Sequence, residues 1–497
     1  MSHAGVPVPL DDQSLASIAS KGAVAVPGYD RSGLTAGIVH FGVGGFHRAH
    51  QAMVVDKLLE RGEARDFAIC GVGVLAQDRR MAEVMAAQNG LYTLVLKHSD
   101  GTREARVIGS IIDYLFAPDD PAAVVEVMAS PGVRIVSMTV TEGGYNFDEV
   151  TGEFISCNDA VQHDLQHPVA PRTVFGFVVA ALRLRRERGV EPFTLMSCDN
   201  IQGNGHVSHK MFNAFARLGD PEFADWMDEH VLFPNSMVDR ITPVTTDADR
   251  AETAWHLGID DAWPVVAEPF FQWVLEDSFR LGRPPFENAG VQLVGNVEPY
   301  ELMKLRLLNA SHQAMAYFGY LKGHRYAHEA AADPDIARLL RHYMDEEATP
   351  TLTPVPGIDL DQYKINLIER FSNSGIRDTL ARLCADSSDR IPKWLLPVVR
   401  ENLATDGAVR LSAAICASWA RYDEATDEQG EPIAVVDRYA DELTALAKSQ
   451  RTDPTAFIRN TLLFGDLAEQ PRFADAYLET LRSLHVRGSA ATLASLT

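Results

Sequence analysis

Lys304, Asn309 and His312 fall within one short run, Pro299-Tyr300-Glu301-Leu302-Met303-Lys304-Leu305-Arg306-Leu307-Leu308-Asn309-Ala310-Ser311-His312. At about 100° per residue the three lie within an arc of about 140° on one helix. They can then point into one cleft while Leu305 and Leu308 pack the helix. The chemistry suits an alcohol. A lysine removed from water holds its proton less tightly and can serve as general base near neutral pH. An asparagine amide can donate to an oxygen that is becoming an alkoxide. A neutral histidine can orient the hydroxyl or the lysine. Taken alone, lysine and histidine on a helix are more often solvated surface.

A second amide comes from Ser197-Cys198-Asp199-Asn200-Ile201-Gln202-Gly203-Asn204-Gly205. Asn200 sits at the carboxyl end of a predicted strand, where open α/β sheets place their ligands. The plainer reading is an Asx turn leading into a helix around residues 207–218. A glycine turn stands earlier, in Gly37-Ile38-Val39-His40-Phe41-Gly42-Val43-Gly44-Gly45-Phe46. A strand running into glycines and then a helix lets backbone N–H groups approach a pyrophosphate. Gly42 and Gly44 match the first two glycines of the dinucleotide fingerprint, and His47 stands at the third. Asp78 follows the second predicted strand, where an acid commonly holds the adenosine ribose and repels a 2′-phosphate. That favours NAD over NADP. Arg79 and Arg80 beside it are the competing reading, as phosphate ligands, and Asp78 can also simply cap the next helix.

These residues need a scaffold. Residues 38–41, 67–74, 134–140 and 193–198 read as strands, and residues 49–61, 81–88 and 182–188 as helix. The alternation predicts an α/β fold, a mainly parallel sheet covered by helices. From about Tyr300 the periodicity is helical almost throughout. Asp333-Pro334 and Asp453-Pro454 read as helix starts. Ile365, Leu367, Ile368 and Phe371 read as one apolar stripe, Trp394, Leu395, Val398 and Val399 as another, and Asp406-Gly407 as a turn. The composition shifts near residues 290–299, which divides the chain into residues 1–295 and 296–497.

The chain has 497 residues, enough for two to four domains at roughly 150 residues each. With 45 Lys+Arg against 68 Asp+Glu, its net charge of −23 argues against nucleic-acid and anionic-membrane partners. The five cysteines, Cys70, Cys157, Cys198, Cys384 and Cys416, are scattered and form no CxxC pair. They read as free thiols in a reducing cytoplasm. Residues 1–10 lack the pattern of a signal peptide, and the longest apolar stretch, residues 174–182, is too short to span a bilayer.

Together the segments resemble the polyol-specific long-chain dehydrogenases, the mannitol dehydrogenase family. The residues that carry the resemblance are Gly42-Val43-Gly44-Gly45-Phe46-His47-Arg48-Ala49-His50, Thr139-Val140-Thr141-Glu142-Gly143-Gly144-Tyr145, Ser197-Cys198-Asp199-Asn200, Asp239-Arg240-Ile241-Thr242-Pro243, and Lys304-x4-Asn309-x2-His312. The resemblance implies an N-terminal expanded Rossmann-like domain, a mostly α-helical C-terminal domain, and an active site in the cleft between them. It implies a metal-independent enzyme using NAD on a small polyol or ketose, in a family that includes monomers. Carried over, Lys304 is the general acid/base, Asn200 and Asn309 hold the reacting oxygen, and His312 binds and orients substrate. Asp239 and Arg382 contact substrate, with Arg377 close by. Gly42, Gly44, Gly45, Phe46 and Asp78 form the cofactor site. Gln77 precedes Asp78 where some relatives carry a second acid.

Rival readings are a hexuronate reductase or an arabinitol dehydrogenase of the same architecture, a zinc polyol dehydrogenase, and a catalytically dead regulator. Zinc needs a compact ligand set, and the cysteines here are isolated. A dead regulator is expected to have lost the lysine or an amide, and both are present. Tyr300-x-x-x-Lys304 resembles the catalytic pair of the short-chain dehydrogenases, but those chains are about half as long and carry a serine just upstream, which residues 281–299 lack.

Overall fold

Five short apolar runs, most of them ending in glycines or polar turns, pair side by side in the computed structural model, which describes residues 6–148 and 151–497. Residues 1–5 of the N-terminal stretch read above lie outside the described residues. The strands are β1 (Ala36–Phe41), β2 (Ala68–Gly73), β3 (Ile111–Phe116), β4 (Ile135–Met138) and β5 (Thr194–Ser197). They form one parallel sheet in the order β3-β2-β1-β4-β5, with Val39 opposite both Cys70 and Val136. Alternate residues face opposite sides of a sheet, and they sort into two cores. Ile38, Ile69, Ile135 and Met196 pack with Met53 and Leu58 of the helix Gln51–Glu60. Val39, Phe41, Val72, Val136 and Leu195 pack with Phe177 and Val178 of the helix Val174–Glu187 and Met211 of the helix Asn204–Gly219. Both faces are covered, so the strands read as nearly unbroken apolar runs.

Two separate three-stranded sheets belong to the same unit. Ser236–Asp239 runs antiparallel to Gln272–Glu276, which is parallel to Gln292–Val294. Tyr92–Lys97 lies between Arg103–Ile108 and Val265–Ala267. This compact unit runs to Val297, apart from the loop Ser99–Gly101, and the second begins at Glu298. Among the described residues the second unit is built from helices. Arg410–Tyr422 is buried from Leu411 onward and packs on Pro471–Leu496 and Ala310–Leu321. No helix among the described residues is long and apolar enough to cross a membrane.

Asp333 accepts from the Asp335 amide at 3.0 Å and starts the helix Pro334–His342, as its cap-proline pair predicts. Asp453-Pro454 does not start a helix: residues 454–459 form turns. The cap falls further on: the Asn460 side chain accepts from the Leu462 amide at 3.1 Å and opens the helix Thr461–Phe464. The stripe through Ile365 also needs correcting. Leu367 and Phe371 are buried, but Ile365 is 44% exposed. Positions 365 and 367 stand about 200° apart on a helix and cannot share a face. The helix after the glycine turn begins earlier than read, as Gly45–Ala49, breaks at His50, and resumes as Gln51–Glu60.

Gly42 is a glycine the fold itself requires. Its φ is +87°, and a Cβ there would lie 2.2 Å from the Thr139 carbonyl oxygen. Gly42→Ala is expected to destabilise the chain by about 2 kcal/mol or more, read as a lower urea midpoint; an unchanged midpoint would mean the turn can open without cost.

Candidate active site

In the first unit the residues read from sequence gather at the carboxyl ends of the parallel strands, where such sheets bind ligands. The glycine turn leaves β1, Asp78 lies just past β2, Thr139-Val140-Thr141 follows β4, and Cys198-Asp199-Asn200 follows β5. Gly44 and Gly45 differ from Gly42. A Cβ on Gly44 would come no closer than 3.9 Å to another atom, and one on Gly45 no closer than 3.5 Å. The fold tolerates side chains there, so their absence leaves the backbone open to a ligand. Phe46 stacks on His50 with ring centroids 4.8 Å apart. His47, at the third fingerprint position, is buried with its ring stacked on His40 of β1 at 3.4 Å. That glycine normally permits close helix–strand packing; here a flat ring on a flat ring does so. Burial pushes His40 down to about 3, so it is neutral, and its ring nitrogens meet Ser137 Oγ at 2.8 Å and Thr139 Oγ1 at 3.0 Å. Thr139 Oγ1 donates to the Gly42 carbonyl at 2.7 Å, which ties this chain of contacts to the turn.

Asp78 Oδ2 accepts from the amides of Val74 and Leu75, each at 2.9 Å. The carboxylate is thus fixed at the strand end rather than over the helix that follows. A Cβ on Gly73 would fall 2.7 Å from Asp78 Cβ, so Gly73 makes room for this approach. Arg79 is forked onto Asp119, at 3.2 and 2.5 Å, and Arg80 lies over Trp263.

Asp199 is a residue that the sequence reading passed over in favour of Asn200. Its buried carboxylate accepts from Val140 N at 3.1 Å, Thr141 N at 2.8 Å and the Tyr145 hydroxyl at 2.8 Å. Thr141 has φ +64°, a left-handed conformation that a β-branched residue adopts only when held there. Asp199 supplies that hold. Asn204 is a second such residue. Its amide donates to the Asp199 carbonyl at 2.9 Å and to the Ser236 carbonyl at 2.7 Å, and its oxygen accepts from Ser236 N at 2.9 Å. It staples the loop carrying exposed Asn200 to the strand carrying buried Asp239. Nothing in the local sequence marks either role, because most of the partners, at residues 140–145 and 236, are distant in the chain.

In the second unit Lys304 and Asn309 are buried, and the stretch between them is not α-helical. Glu298–Met303 is α-helix, Lys304–Asn309 is a π turn, and Ala310–Leu321 is α-helix again. The Ala310 amide donates to the Leu305 carbonyl, an i→i+5 bond. In a turn closed this way residues five apart come one above the other, so Lys304 and Asn309 stand closer than the α spacing predicts. Asn309 Nδ2 is buried with no protein partner. A buried donor left so is costly unless something supplies an acceptor. His312 is half-buried against Phe371, with ring centroids 4.4 Å apart. Arg382, on the short helix Leu380–Cys384, forks onto Asp378 at 2.6 and 2.5 Å. Its helix is tied down at the Leu383 carbonyl, which accepts from Gln313 at 3.1 Å and Arg390 at 2.9 Å. Arg377 reaches the Tyr326 hydroxyl at 3.0 Å instead. Among the described residues no three His, Cys, Asp or Glu side chains group as a metal site.

Residues 36–288 match the family model of the mannitol dehydrogenase Rossmann domain, and residues 296–485 that of the mannitol dehydrogenase C-terminal domain. A mannitol 2-dehydrogenase of Phaeosphaeria nodorum is 48% identical over 475 residues, 95% of this chain and 83% of that protein. One from Aspergillus fumigatus is 45% identical over 94% of this chain and 95% of that protein. The solved ternary complex of Pseudomonas fluorescens mannitol 2-dehydrogenase with NAD and D-mannitol superposes with a TM-score of 0.88 at 45% identity, covering 98% of this chain and 99% of that one. A substrate-free D-sorbitol dehydrogenase gives a TM-score of 0.91 at 37% identity, covering 98% and 100%.

Burial pushes the Asp199 carboxyl from 3.8 up to about 6. The folded chain therefore takes up this proton at higher pH than the unfolded chain. The group favours the folded state below its ordinary value, and that advantage is lost as pH rises through about 6. Relative to Asp199→Asn, wild-type stability is expected to fall between about pH 4 and pH 7, by about 3 kcal/mol at most. Urea midpoints across that range measure it, and a constant difference would remove the shift.

Proposed function

The chain belongs to the mannitol dehydrogenase family, and from that premise we propose that it is an NAD-dependent polyol dehydrogenase that interconverts D-mannitol and D-fructose without a metal. The observation that carries this reading is the 45% identity, over nearly the full length of both chains, with an enzyme whose structure holds NAD and D-mannitol. The residues fit a dinucleotide. Gly42 makes the turn, Gly44 and Gly45 leave its backbone open, and Asp78 presents a carboxylate held by two backbone amides. NAD is favoured over NADP because Asp78 repels a 2′-phosphate while Arg79 is committed to Asp119 and Arg80 to Trp263.

The cofactor, when bound, supplies the acceptor for a hydride from the carbinol carbon. Lys304, neutral, takes the hydroxyl proton onto Nζ. Asn309 donates its unpaired Nδ2 hydrogens to the oxygen as charge develops, and Asn200 supplies the second amide. His312 orients the hydroxyl, and Asp239 and Arg382 contact the polyol. In the reverse direction the Lys304 ammonium returns its proton to the ketone oxygen. A hexuronate would need a free cation for its carboxylate, whereas Arg382 already faces Asp378, which favours a neutral substrate.

Oxidation of NADH by D-fructose, and not by D-fructuronate, is expected in an absorbance assay and is expected to survive a chelator. Fructuronate as sole substrate would move the function to hexuronates. Lys304→Ala is expected to lose turnover by a factor of about 100 or more while NADH still binds; near-normal turnover would remove lysine from the base role. Asp78→Ala is expected to raise the KM for NAD about tenfold or more and to narrow the preference over NADP. Equal use of both cofactors by the wild type would overturn that assignment.

A further inference from the structure

The π turn that carries Lys304 and Asn309 has a counterpart in the same unit. Tyr343–Ala348 is also a π turn, in which Thr349 N donates to the Met344 carbonyl. The two are braced against each other. The Tyr343 hydroxyl, from the second turn, donates to the Arg306 carbonyl in the middle of the first at 3.1 Å. The Arg306 guanidinium, from the first turn, donates to the Thr351 carbonyl just past the second at 2.6 Å and forks onto Glu401 at 2.8 and 2.6 Å. The second turn is itself anchored. Glu347 accepts from Leu411 N at 2.6 Å, Ser412 N at 2.8 Å and Ser412 Oγ at 2.5 Å, at the start of the buried helix Arg410–Tyr422. Tyr343 and Arg306 are both buried, and neither is among the residues assigned to substrate or cofactor.

An i→i+5 turn is intrinsically rare and needs outside support. Relaxed to α register, Asn309 would stand about 140° around the helix from Lys304. We propose that Tyr343 and Arg306 are positioning residues, whose cross-brace holds the Lys304–Asn309 turn in its π register and so keeps the base and the amide donor aligned. The proposal rests on the reading of Lys304 as acid/base. It assigns no contact with substrate to either residue.

The test is Tyr343→Phe, which keeps the ring and removes only the hydroxyl. Expected are a fall in kcat for mannitol oxidation of about tenfold or more, an unchanged Kd for NADH, and a displaced midpoint in the pH–rate profile. A role in stability alone would lower Tm and leave kcat and the pH profile of the folded enzyme unmoved, and that result would overturn the proposal. Arg306→Lys provides a second variant should the first not fold. It keeps a charge beside Glu401 but lacks the planar fork that spans Glu401 and the Thr351 carbonyl together. It is expected to lose kcat in the same way, and wild-type kinetics in this variant would likewise overturn the brace. Lys304→Ala, assayed in parallel, separates the two ideas. If that variant is inactive while Tyr343→Phe behaves as wild type, the brace is wrong and the base stands. If it remains active, the base reading itself has failed.

Discussion

Buried backbone N–H groups must find acceptors, and this chain repeatedly supplies them from carboxylates. Asp199 takes the amides of Val140 and Thr141, Asp164 those of Arg172 and Thr173, Asp78 those of Val74 and Leu75, and Glu347 those of Leu411 and Ser412. Leaving a buried donor unmet costs about 1–3 kcal/mol. Asp199, Asp164 and Glu347 meet their two adjacent donors with separate oxygens, and Asp78 takes both on one. Each of these sits where a strand or helix begins or ends. The chemistry-bearing segments depend on them: Asn200 follows Asp199, and the turn bearing Tyr343 is anchored by Glu347. Burial raises the carboxyls of Asp199 and Glu347 in spite of their donors, so these staples are sensitive to protonation. The net charge of −23 therefore reflects internal use as well as surface solvation.

The parallel sheet was legible because buried strands are short β-branched runs and because the glycine turn has a steric signature. The helical second half was legible from its period. Lys304, Asn200, Asn309 and His312 stood out by residue type. What stayed hidden depends on partners distant in sequence. Asp199 and Asn204 lie in a segment that stands out for Asn200, yet their roles are set by amides distant in the chain, those of Val140, Thr141 and Ser236. The π register leaves no mark in composition, since its support comes from Tyr343, Thr351 and Glu401. The Asp453-Pro454 pair opens a run of turns, and the helix cap falls at Asn460 instead. His47 looked like a defect in the fingerprint; its stacking on His40 shows another way to bring helix and strand together.

Lys304 and Asn309 are five residues apart, a spacing at which an α-helix does not place two side chains on one line; it does so at three and four. A helix could offer a lysine and an amide side by side simply by moving one of them. This chain keeps the five-residue spacing and changes the backbone instead. Local rules are broken most often where a site needs a geometry the regular element does not offer. The wide turn costs regular hydrogen bonding, and tertiary contacts must restore what the ladder gives up. They are concentrated on Arg306, whose carbonyl and guanidinium are both engaged, and which lies in the chain between Lys304 and Asn309. Residues with no substrate of their own can therefore be as constrained as those that touch it, because the register of the turn and the alignment of the two groups are one geometric fact.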